Sequence, residues 1–511
     1  MPQSIRPADG WRYVEGEVNC AFYEVSSARV IQVGQKMSQL IRALARGQTI
    51  ESALDVFPKA DREEIKKIAG GMPCLQESSE PAARWPVAQA EKPAGPIRLR
   101  GAFLELTEAC NFRCRHCYAE AGSPSTEGEY STREWMDVCD QLRAEGAEGV
   151  TLTGGEPMFR KDFCEILVHA NQVFKGQVTV LTNAALIDER ICRVLKECGT
   201  RISISFYSHD AARADRMTGV PGSWKRVVGA LELLLKHQVS FGVNVVLSKE
   251  TRPDLPDIRS FLVSLGVDQS EIMANPVLPA GRGCAAKADL KLLQADFPHR
   301  PFQSMAFDAS GRLECPTCWR GQLTVAPDGR LFFCNMLRDL IIGDLKAGSL
   351  GDILASEHCQ SMWGITLDDI AGCRECELRY ACYDCRAAPF LLTGDLHQRN
   401  PLCLYDPIKG EWSMATHAWF RSSPDPGFRP KARAGFVSKP SGDEVLFYDQ
   451  EGQNAFSLNR VAARIWSLCD GTRTTADIAR LLFDEFDVDM ERLTRDVHAT
   501  VDYMTLQGLL E

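Results

Sequence analysis

Three closely spaced cysteines, Cys110, Cys114 and Cys117, follow a mostly apolar run at residues 103–106. Their C-x3-C-x2-C spacing suits a loop that wraps a metal centre at the end of a strand. Three thiolates leave a four-ligand site one ligand short, which favours an iron–sulfur cluster with one iron open to another ligand. A zinc site or a redox-active cysteine trio is the alternative that this cysteine triplet leaves open.

Eight more cysteines form a second group near the middle of the chain, which holds twenty cysteines in all. They are Cys315, Cys318, Cys334, Cys373, Cys376, Cys382, Cys385 and Cys403. Eight thiolates can hold two complete four-thiolate clusters, although C-x2-C pairs also form structural zinc ribbons. Because the first residues lack the apolar core of a signal peptide, the clustered cysteines indicate metal binding rather than disulfides.

Strand and helix patterns alternate between residues 97 and 279 and must position the cysteine triplet. Six strands are predicted at residues 102–106, 149–153, 178–182, 202–206, 242–247 and 272–277. Such alternation predicts a parallel sheet with right-handed crossovers, here a partial (β/α)6 barrel. These folds place their site at the carboxyl ends of the strands, where Cys110 follows the first strand.

The ends of the later strands carry further candidate site residues. The second strand ends in Thr-Gly-Gly-Glu-Pro, namely Thr153, Gly154, Gly155, Glu156 and Pro157. Two glycines allow a ligand to approach the backbone closely, and the proline fixes the turn. Polar residues also occur in the next three strands, at Asn183, Ser205 and Asn244. A hydrogen-bonded residue that lines the barrel explains each of these as well as a ligand contact does.

The cysteine triplet, with His116 in the aromatic position before Cys117, and the Gly-Gly-Glu-Pro stretch resemble the radical S-adenosylmethionine (SAM) enzymes. The resemblance implies a [4Fe–4S] cluster on the triplet with SAM chelated to its open iron. It also implies contacts to SAM from His116, Gly154, Gly155, Glu156, Pro157, Asn183 and Ser205. Reductive cleavage of SAM in that family yields a 5′-deoxyadenosyl radical, which takes a hydrogen atom from the substrate. Arg216 and Arg282 are possible partners for a carboxylate.

The later cysteines resemble the SPASM extension, which carries two auxiliary [4Fe–4S] clusters in many radical SAM maturases. The resemblance implies a first auxiliary set of Cys315, Cys318, Cys334 and Cys385, and a second auxiliary set of Cys373, Cys376, Cys382 and Cys403. The gap between Cys382 and Cys385 is one residue shorter than in that family. Related sulfatase-oxidising enzymes carry aspartate where this chain has Asn335, which disfavours that branch. The catalytic base is not identified, and Asp339 and Asp384 remain open.

Residues 431–511 resemble the PqqD-like peptide chaperones, small winged-helix modules that bind the leader of a ribosomally made peptide. The pattern predicts a hairpin at 444–448 and 455–458, then helices at 462–468, 475–486 and 490–507. The predicted units are therefore a winged-helix-like module at 1–95, which is a candidate for leader recognition, the radical SAM barrel at 96–290, the SPASM unit at 300–408 and the PqqD-like unit at 431–511. Linkers are predicted at 77–96 and 408–430.

Together these parts predict a radical SAM maturase that crosslinks a precursor peptide oxidatively, by a thioether or carbon–carbon bond. Its expected cofactors are SAM and three [4Fe–4S] clusters, and its expected partners are a leader peptide and an electron donor such as flavodoxin or ferredoxin. Two alternatives remain. One is a radical SAM dehydrogenase or mutase for a small molecule, and the other is a non-catalytic metal-bound scaffold that recruits peptides.

Composition limits where the protein works. The 511 residues include 58 Lys and Arg against 68 Asp and Glu, which gives a formal net charge of −10. That balance argues against nonspecific nucleic-acid binding. No apolar run approaches the roughly eighteen residues that a membrane span requires. We therefore predict a cytoplasmic protein without nucleic-acid or membrane partners.

Overall fold

A computed structural model describes most of the chain. The described residues are 4–24, 26, 29–89, 95–122, 126–285, 317–382, 384–412, 428–441, 444–449, 455–483, 485, 489–506 and 509–510. Cys315, which belongs to the predicted first auxiliary set, lies outside the described residues, as does the part of the predicted SPASM unit before residue 317.

The first module combines two small sheets with three helices. Its elements are β1 (Ser4–Pro7), β2 (Trp11–Glu15), β3 (Cys20–Glu24), β4 (Arg29–Val33), α1 (Gln35–Ala45), α2 (Ile50–Ala53), α3 (Arg62–Gly70) and β5 (Leu75–Ser78). Strands β2, β3 and β4 form an antiparallel sheet, and β1 pairs with β5. The start of the predicted linker is therefore wrong, because Glu77 pairs with Ile5 in a strand. Tyr13, Phe22 and Trp85 pack at the centre of its core.

Six parallel strands form one side of the largest sheet, from one of its edges inward. They are β6 (Gly101–Glu105), β7 (Gly149–Thr153), β8 (Val178–Thr182), β9 (Arg201–Phe206), β10 (Phe241–Leu247) and β11 (Ile272–Pro276). Neighbours pair in parallel register, with Gly101 opposite Gly149 and Val243 opposite Ile272. The predicted α/β class with six parallel strands separated by helices is confirmed. The carboxyl ends of all six strands consequently lie at one edge of the sheet.

Helices alternate with these strands. They are α4 (Thr132–Ala144), α5 (Phe163–Phe174), α6 (Glu189–Glu197), α7 (Ala211–Thr218), α8 (Ser223–His237) and α9 (Leu255–Ser264). Helix α4 begins at a capping box, in which Ser131 Oγ accepts from the Glu134 N–H and the Glu134 carboxylate accepts from the Ser131 N–H. Its buried face, which carries Trp135 and Leu142, packs into the main core. Among the helices that the structure describes, none is long and apolar enough to cross a bilayer.

The predicted SPASM unit, described from residue 317 onward, continues the barrel sheet. Its elements are β12 (Gln322–Val325), β13 (Arg330–Phe332), β14 (Ile341–Asp344), α10 (Leu350–Ala355), α11 (Glu357–Trp363), α12 (Ala387–Thr393), β15 (Tyr405–Asp406) and β16 (Glu411–Trp412). Strand β12 pairs in parallel with β6, and β13 and β14 follow antiparallel, so the sheet has nine strands. The Trp363 indole N–H, buried beneath β12, donates to the Gln322 carbonyl at 3.0 Å. The auxiliary cysteines are therefore fixed to the barrel by backbone pairing.

The C-terminal module has the predicted hairpin and three helices. Its elements are β17 (Phe436–Ser441), β18 (Glu444–Asp449), β19 (Ala455–Asn459), α13 (Arg460–Leu468), α14 (Thr475–Phe483) and α15 (Met490–Leu506). Strand β17 was not predicted and completes an antiparallel sheet in the order β17-β18-β19. Apolar side chains at helical spacing, such as Ile478, Leu482, Val497 and Val501, form its core.

Candidate active site

The cysteine triplet lies on the loop between β6 and α4, at the carboxyl end of the barrel. Two backbone hydrogen bonds attach this loop to the end of α7, from the Arg113 N–H to Thr218 O at 2.8 Å and from the Arg115 N–H to Met217 O at 3.1 Å. The Arg282 Nε–H donates to Cys114 O at 2.8 Å from beyond β11. The first and last parts of the barrel thus hold the loop in one conformation.

A cavity of about 300 Å3 opens beside this loop. Its walls include most of the site residues expected from the sequence: Cys110, Cys114, Cys117, His116, Gly154, Gly155, Asn183 and Ser205. Asn244 and Arg282 also line it, whereas Arg216 is exposed at the end of α7 and is not among the lining residues described. Strands that are far apart in sequence therefore bring their polar ends to one place.

The donor set fits an iron–sulfur cluster that shares an iron with a second ligand. Three thiols meet at the cavity, and among the described lining residues there is no fourth cysteine. In the described part of the chain, no three His, Cys, Asp or Glu side chains converge as ligands of one metal ion. Thiolates around a cubane lie farther apart than ligands of a single ion, because each binds a different iron. The triplet could therefore hold a cluster with an open iron.

Gly154 and Gly155 lie against the backbone of the cysteine loop. A Cβ at Gly155 would overlap the Ala109 carbonyl, and Gly154 has φ +138°, in the region that favours glycine. The Gly155 N–H donates to Thr107 O at 2.7 Å. These glycines therefore permit close contact between two strand ends as well as the approach of a ligand.

Substitution of Gly155 by alanine is expected to displace Ala109 and, with it, Cys110. We expect a loss of about four irons per chain, one cubane, together with loss of 5′-deoxyadenosine formation, both measured after anaerobic reconstitution. Gly229→Ala is the matched control, because a Cβ at Gly229 on α8 would have no neighbour within 4 Å. Equal iron content in the two variants would contradict this tight packing at the cysteine loop.

The contacts of Glu156 and Pro157 with SAM stay a prediction. Neither is among the described residues that line the cavity, and the Glu156 side chain is fully buried behind it. The Glu156 carboxylate accepts hydrogen bonds from the Thr182 hydroxyl at 2.8 Å and from the backbone N–H groups of Asn183 at 2.8 Å and Met158 at 3.1 Å. Burial raises the pKa of Glu156 to about 7 despite these donors. In this arrangement Glu156 joins the ends of β7 and β8 and so positions Asn183.

Tyr207, which the sequence did not single out, contacts the triplet from the end of β9. Its hydroxyl lies 3.7 Å from Cys114 Sγ, and its ring lies 5.1 Å from the His116 ring. Burial raises the pKa of Cys114 to about 11 and that of Cys110 to about 12. Iron must therefore replace these protons when a cluster assembles, and hydrogen bonds to the sulfurs would then tune its potential.

The described members of the first auxiliary set lie together. The Cys318 thiol hydrogen-bonds to Cys385, which raises the pKa of Cys318 and lowers that of Cys385. Cys334 is close enough for its charge to raise the pKa of Cys318 further. Cys385 therefore lies with cysteines that precede it by more than fifty residues, in spite of the short gap after Cys382.

The second auxiliary set also converges. Burial raises the pKa of Cys373 to about 12, and the neighbouring Cys403 adds to this shift. Burial likewise raises the pKa values of Cys376 and Cys382, and Cys403 and Cys373 contribute to both. These four thiols thus lie near one another.

The acidic residues left open as a base are not at the cavity. Asp384 is buried and paired with Arg386, and it accepts from Asn400 Nδ2 at 3.2 Å. Asp339 is exposed, and neither carboxylate is among the described lining residues. Asn335 does line the cavity, next to Met336. None of the lining residues that the structure describes is Asp or Glu.

Three protein-family models match separate parts of the chain. The family model of the radical SAM superfamily matches residues 104–262, that of the SPASM iron–sulfur cluster-binding domain matches 315–386, and that of coenzyme PQQ synthesis protein D matches 444–510.

An AdoMet-dependent heme synthase from Oleidesulfovibrio alaskensis is 26% identical over 341 residues, which cover 60% of this chain and 87% of that protein. A PqqA peptide cyclase from Granulibacter bethesdensis is 26% identical over 371 residues, 68% of this chain and 96% of that protein. Streptococcus suis SuiB, solved with its precursor peptide SuiA, aligns with a TM-score of 0.48 and 12% identity, over 78% of this chain and 99% of that one.

The fold and the cysteine-lined cavity define a radical SAM enzyme. More particularly, this enzyme carries a SPASM iron–sulfur domain next to its barrel and a PqqD domain near its C-terminus. Its cofactors are SAM and iron–sulfur clusters.

Proposed function

We propose that the protein is a maturase that oxidises a ribosomally made precursor peptide and crosslinks it through a thioether or carbon–carbon bond. The observation that carries this proposal is the position of Asn335 and Met336. They directly follow Cys334 in the first auxiliary set and line the same cavity as the cysteine triplet. An electron acceptor held by Cys334 would therefore adjoin the space in which a substrate radical forms.

This arrangement suits a two-electron oxidation. A crosslink removes two hydrogen atoms from the peptide, one as a hydrogen atom and one as a proton and an electron. When bound, the cofactors would supply the 5′-deoxyadenosyl radical for the first and an acceptor for the electron of the second. The polar groups of Asn183 and Ser205 would orient SAM, while Phe112, Leu181 and Val246 exclude water from part of the cavity.

The C-terminal module supports a peptide as the substrate. PqqD-type modules bind an extended peptide by adding it to the edge of a sheet. Strand β19 is at an edge of the β17-β18-β19 sheet, and its Cα atoms approach those of β4, an edge strand of the first module, to within 8 Å. A leader bound at β19 would therefore also lie near the first module, and we propose that both modules contribute to its binding.

We further propose eleven cluster ligands and three [4Fe–4S] clusters. The cysteine triplet would hold the SAM-binding cluster, and the two auxiliary sets would hold one cluster each. Cys315 belongs to the first auxiliary set on sequence grounds alone. Electron supply from a flavodoxin or ferredoxin completes the proposal, because SAM cleavage needs one electron from outside.

The test is the mass of peptides encoded beside the gene after anaerobic incubation with the reconstituted enzyme, SAM and a reductant. Each crosslink is expected to lower the peptide mass by two hydrogen atoms, and removal of the leader is expected to slow the reaction at least tenfold. An equal rate for leaderless peptide would contradict the role of the PqqD domain. An unchanged mass for all such peptides, with 5′-deoxyadenosine still produced, would overturn the maturase.

The second candidate is oxidation of a small molecule. Similarity to AdoMet-dependent heme synthases over 60% of the chain favours it. Conversion of a porphyrin substrate with no peptide present would support this candidate. Binding of a labelled leader peptide would count against it.

A further inference from the structure

The outer face of the cysteine loop carries positive charge on an acidic protein. Arg113 and Arg115 flank Cys114, and both side chains are exposed, Arg115 to 67%. Arg216 is also exposed, and it lies next to them because Met217 and Thr218 accept backbone hydrogen bonds from this loop. The chain as a whole has a formal net charge of −10. We call Arg113, Arg115 and Arg216 the loop arginines.

Local pairing leaves most of this charge available. Arg115 has an acidic neighbour, Glu250, at 3.8 Å, and that carboxylate is 54% exposed. A surface pair of this kind contributes about 0–1 kcal/mol and is readily exchanged. Asp215, next to Arg216, is occupied by the Gly222 and Trp224 N–H groups and the Ser223 hydroxyl.

The same loop separates solvent from the cavity. Its outer side carries the loop arginines, and its inner side presents Cys114, which lines the cavity. The Cys114 carbonyl is held from inside by Arg282 at 2.8 Å. An electron that reaches the loop arginines therefore has only the thickness of this loop to cross to the cysteine triplet.

The first module shields part of the second auxiliary set from solvent. Cys376 is only 8% exposed, and the first module covers the neighbouring Glu377. The Tyr23 hydroxyl donates to Glu377 O at 2.7 Å, and Gln32 Nε2 donates to the Glu377 carboxylate at 2.6 Å. On this side of the SPASM unit, the first module therefore stands between solvent and the second auxiliary set.

We propose that the loop arginines are the docking surface for an acidic one-electron donor protein of the flavodoxin or ferredoxin class. This inference rests on the proposed function, which requires one external electron for each SAM cleaved. Complementary charge raises the association rate of two proteins and orients their encounter. Because the chain has a net negative charge, most of its surface would repel an acidic donor. The loop arginines would attract the donor to the face nearest the cysteine triplet.

The test compares two reductants on reconstituted enzyme without peptide. The variant Arg113→Glu/Arg115→Glu is expected to form 5′-deoxyadenosine at least tenfold more slowly with limiting reduced flavodoxin, and at the wild-type rate with dithionite, which needs no docking. Raising the salt concentration is expected to slow the wild type and to reduce the difference. Arg98→Glu/Arg100→Glu is the matched control, because these two exposed arginines precede β6, at the opposite end of that strand from the cysteine loop.

Each outcome decides between the surface and its alternatives. Equal loss in the control pair, or no flavodoxin-specific loss, would overturn the proposal. If the charge reversal also slows the dithionite reaction, the milder Arg113→Gln/Arg115→Gln variant decides. A slower reaction of this variant with flavodoxin only would support the docking surface. An unchanged reaction with flavodoxin would overturn it. Weaker binding of labelled precursor peptide with an unchanged flavodoxin rate would assign the loop arginines to the peptide instead. Failure of the maturase proposal would leave this readout intact, because no peptide is present.

Discussion

Replacement of Cys385 by alanine is expected to remove about four of about twelve irons per chain, since a [4Fe–4S] cluster holds four. SAM cleavage at the cysteine triplet is expected to persist, while peptide product falls at least a hundredfold because the electron left on the substrate loses its acceptor. Iron and sulfide analysis after anaerobic reconstitution measures the first effect. Quantification of 5′-deoxyadenosine and peptide product measures the second.

Double variants then test which cysteines share a cluster. Cys334→Ala/Cys385→Ala is expected to lose no more iron than either single variant, because the structure brings both thiols to Cys318. Cys373→Ala/Cys385→Ala is expected to lose about eight irons, because two clusters are broken. Cys359→Ala is the control, since this buried cysteine on α11 belongs to neither auxiliary set.

The opposite pattern would reassign the ligands. Additive loss in the Cys334 and Cys385 pair would show that these cysteines belong to different clusters. Zinc in place of the auxiliary irons, with the cysteine triplet still holding its iron, would make the SPASM cysteines structural. The enzyme would then lack a built-in electron acceptor. Either result is distinct from misfolding, which would also reduce 5′-deoxyadenosine formation.

The barrel was predictable because two physical signals agree there. The strands β6, β7, β8 and β10 contain only buried or half-buried residues and read as short, mostly apolar runs, and helix patterns separate these runs. All six predicted strands match the structure to within one residue at either end. The cysteine triplet and the glycines Gly154 and Gly155 follow two of these strands, so the sequence also placed them at one edge of the sheet.

The features that the sequence did not predict depend on contacts between distant parts of the chain. Pairing of β12 with β6 joins residues more than two hundred apart, and no local pattern encodes it. Nor does a local pattern show that the Thr182 hydroxyl and the N–H groups of Asn183 and Met158 all donate to the Glu156 carboxylate. The only sequence signal for Tyr207 was its position at the end of the fourth barrel strand, two residues after the candidate site residue Ser205.

One such distant contact, between Glu105 and Arg338, leads to a large expected effect on stability. Glu105 ends β6 and is 1% exposed, and its carboxylate forms an ion pair with Arg338 from the loop after Cys334. The Arg338 guanidinium also lies 5.4 Å from the centre of the Phe332 ring and 3.3 Å from the Glu108 carboxylate. This buried pair connects the barrel strand that precedes the cysteine triplet with the loop of the first auxiliary set.

Arg338→Met is expected to destabilise the folded enzyme by about 3–5 kcal/mol at pH 8, because it leaves a buried carboxylate without its partner. Burial already raises the pKa of Glu105 although Arg338 opposes that shift. Without the guanidinium this pKa rises further, so the folded state binds a proton that the unfolded state has released. The loss of stability is therefore expected to shrink as the pH falls from 8 to 5. Calorimetric unfolding of the reconstituted protein across this range measures it.

Two further variants separate the pair from its surroundings. Glu108→Gln removes a carboxylate that is 49% exposed and is expected to cost less than about 1 kcal/mol. Glu105→Leu/Arg338→Met replaces both charges with apolar groups and is expected to recover most of the stability lost in Arg338→Met. If the double variant is as unstable as Arg338→Met at every pH, the loss comes from the packing of Arg338 against Phe332. The interface between the barrel and the SPASM unit would then be held by apolar contact rather than by the ion pair.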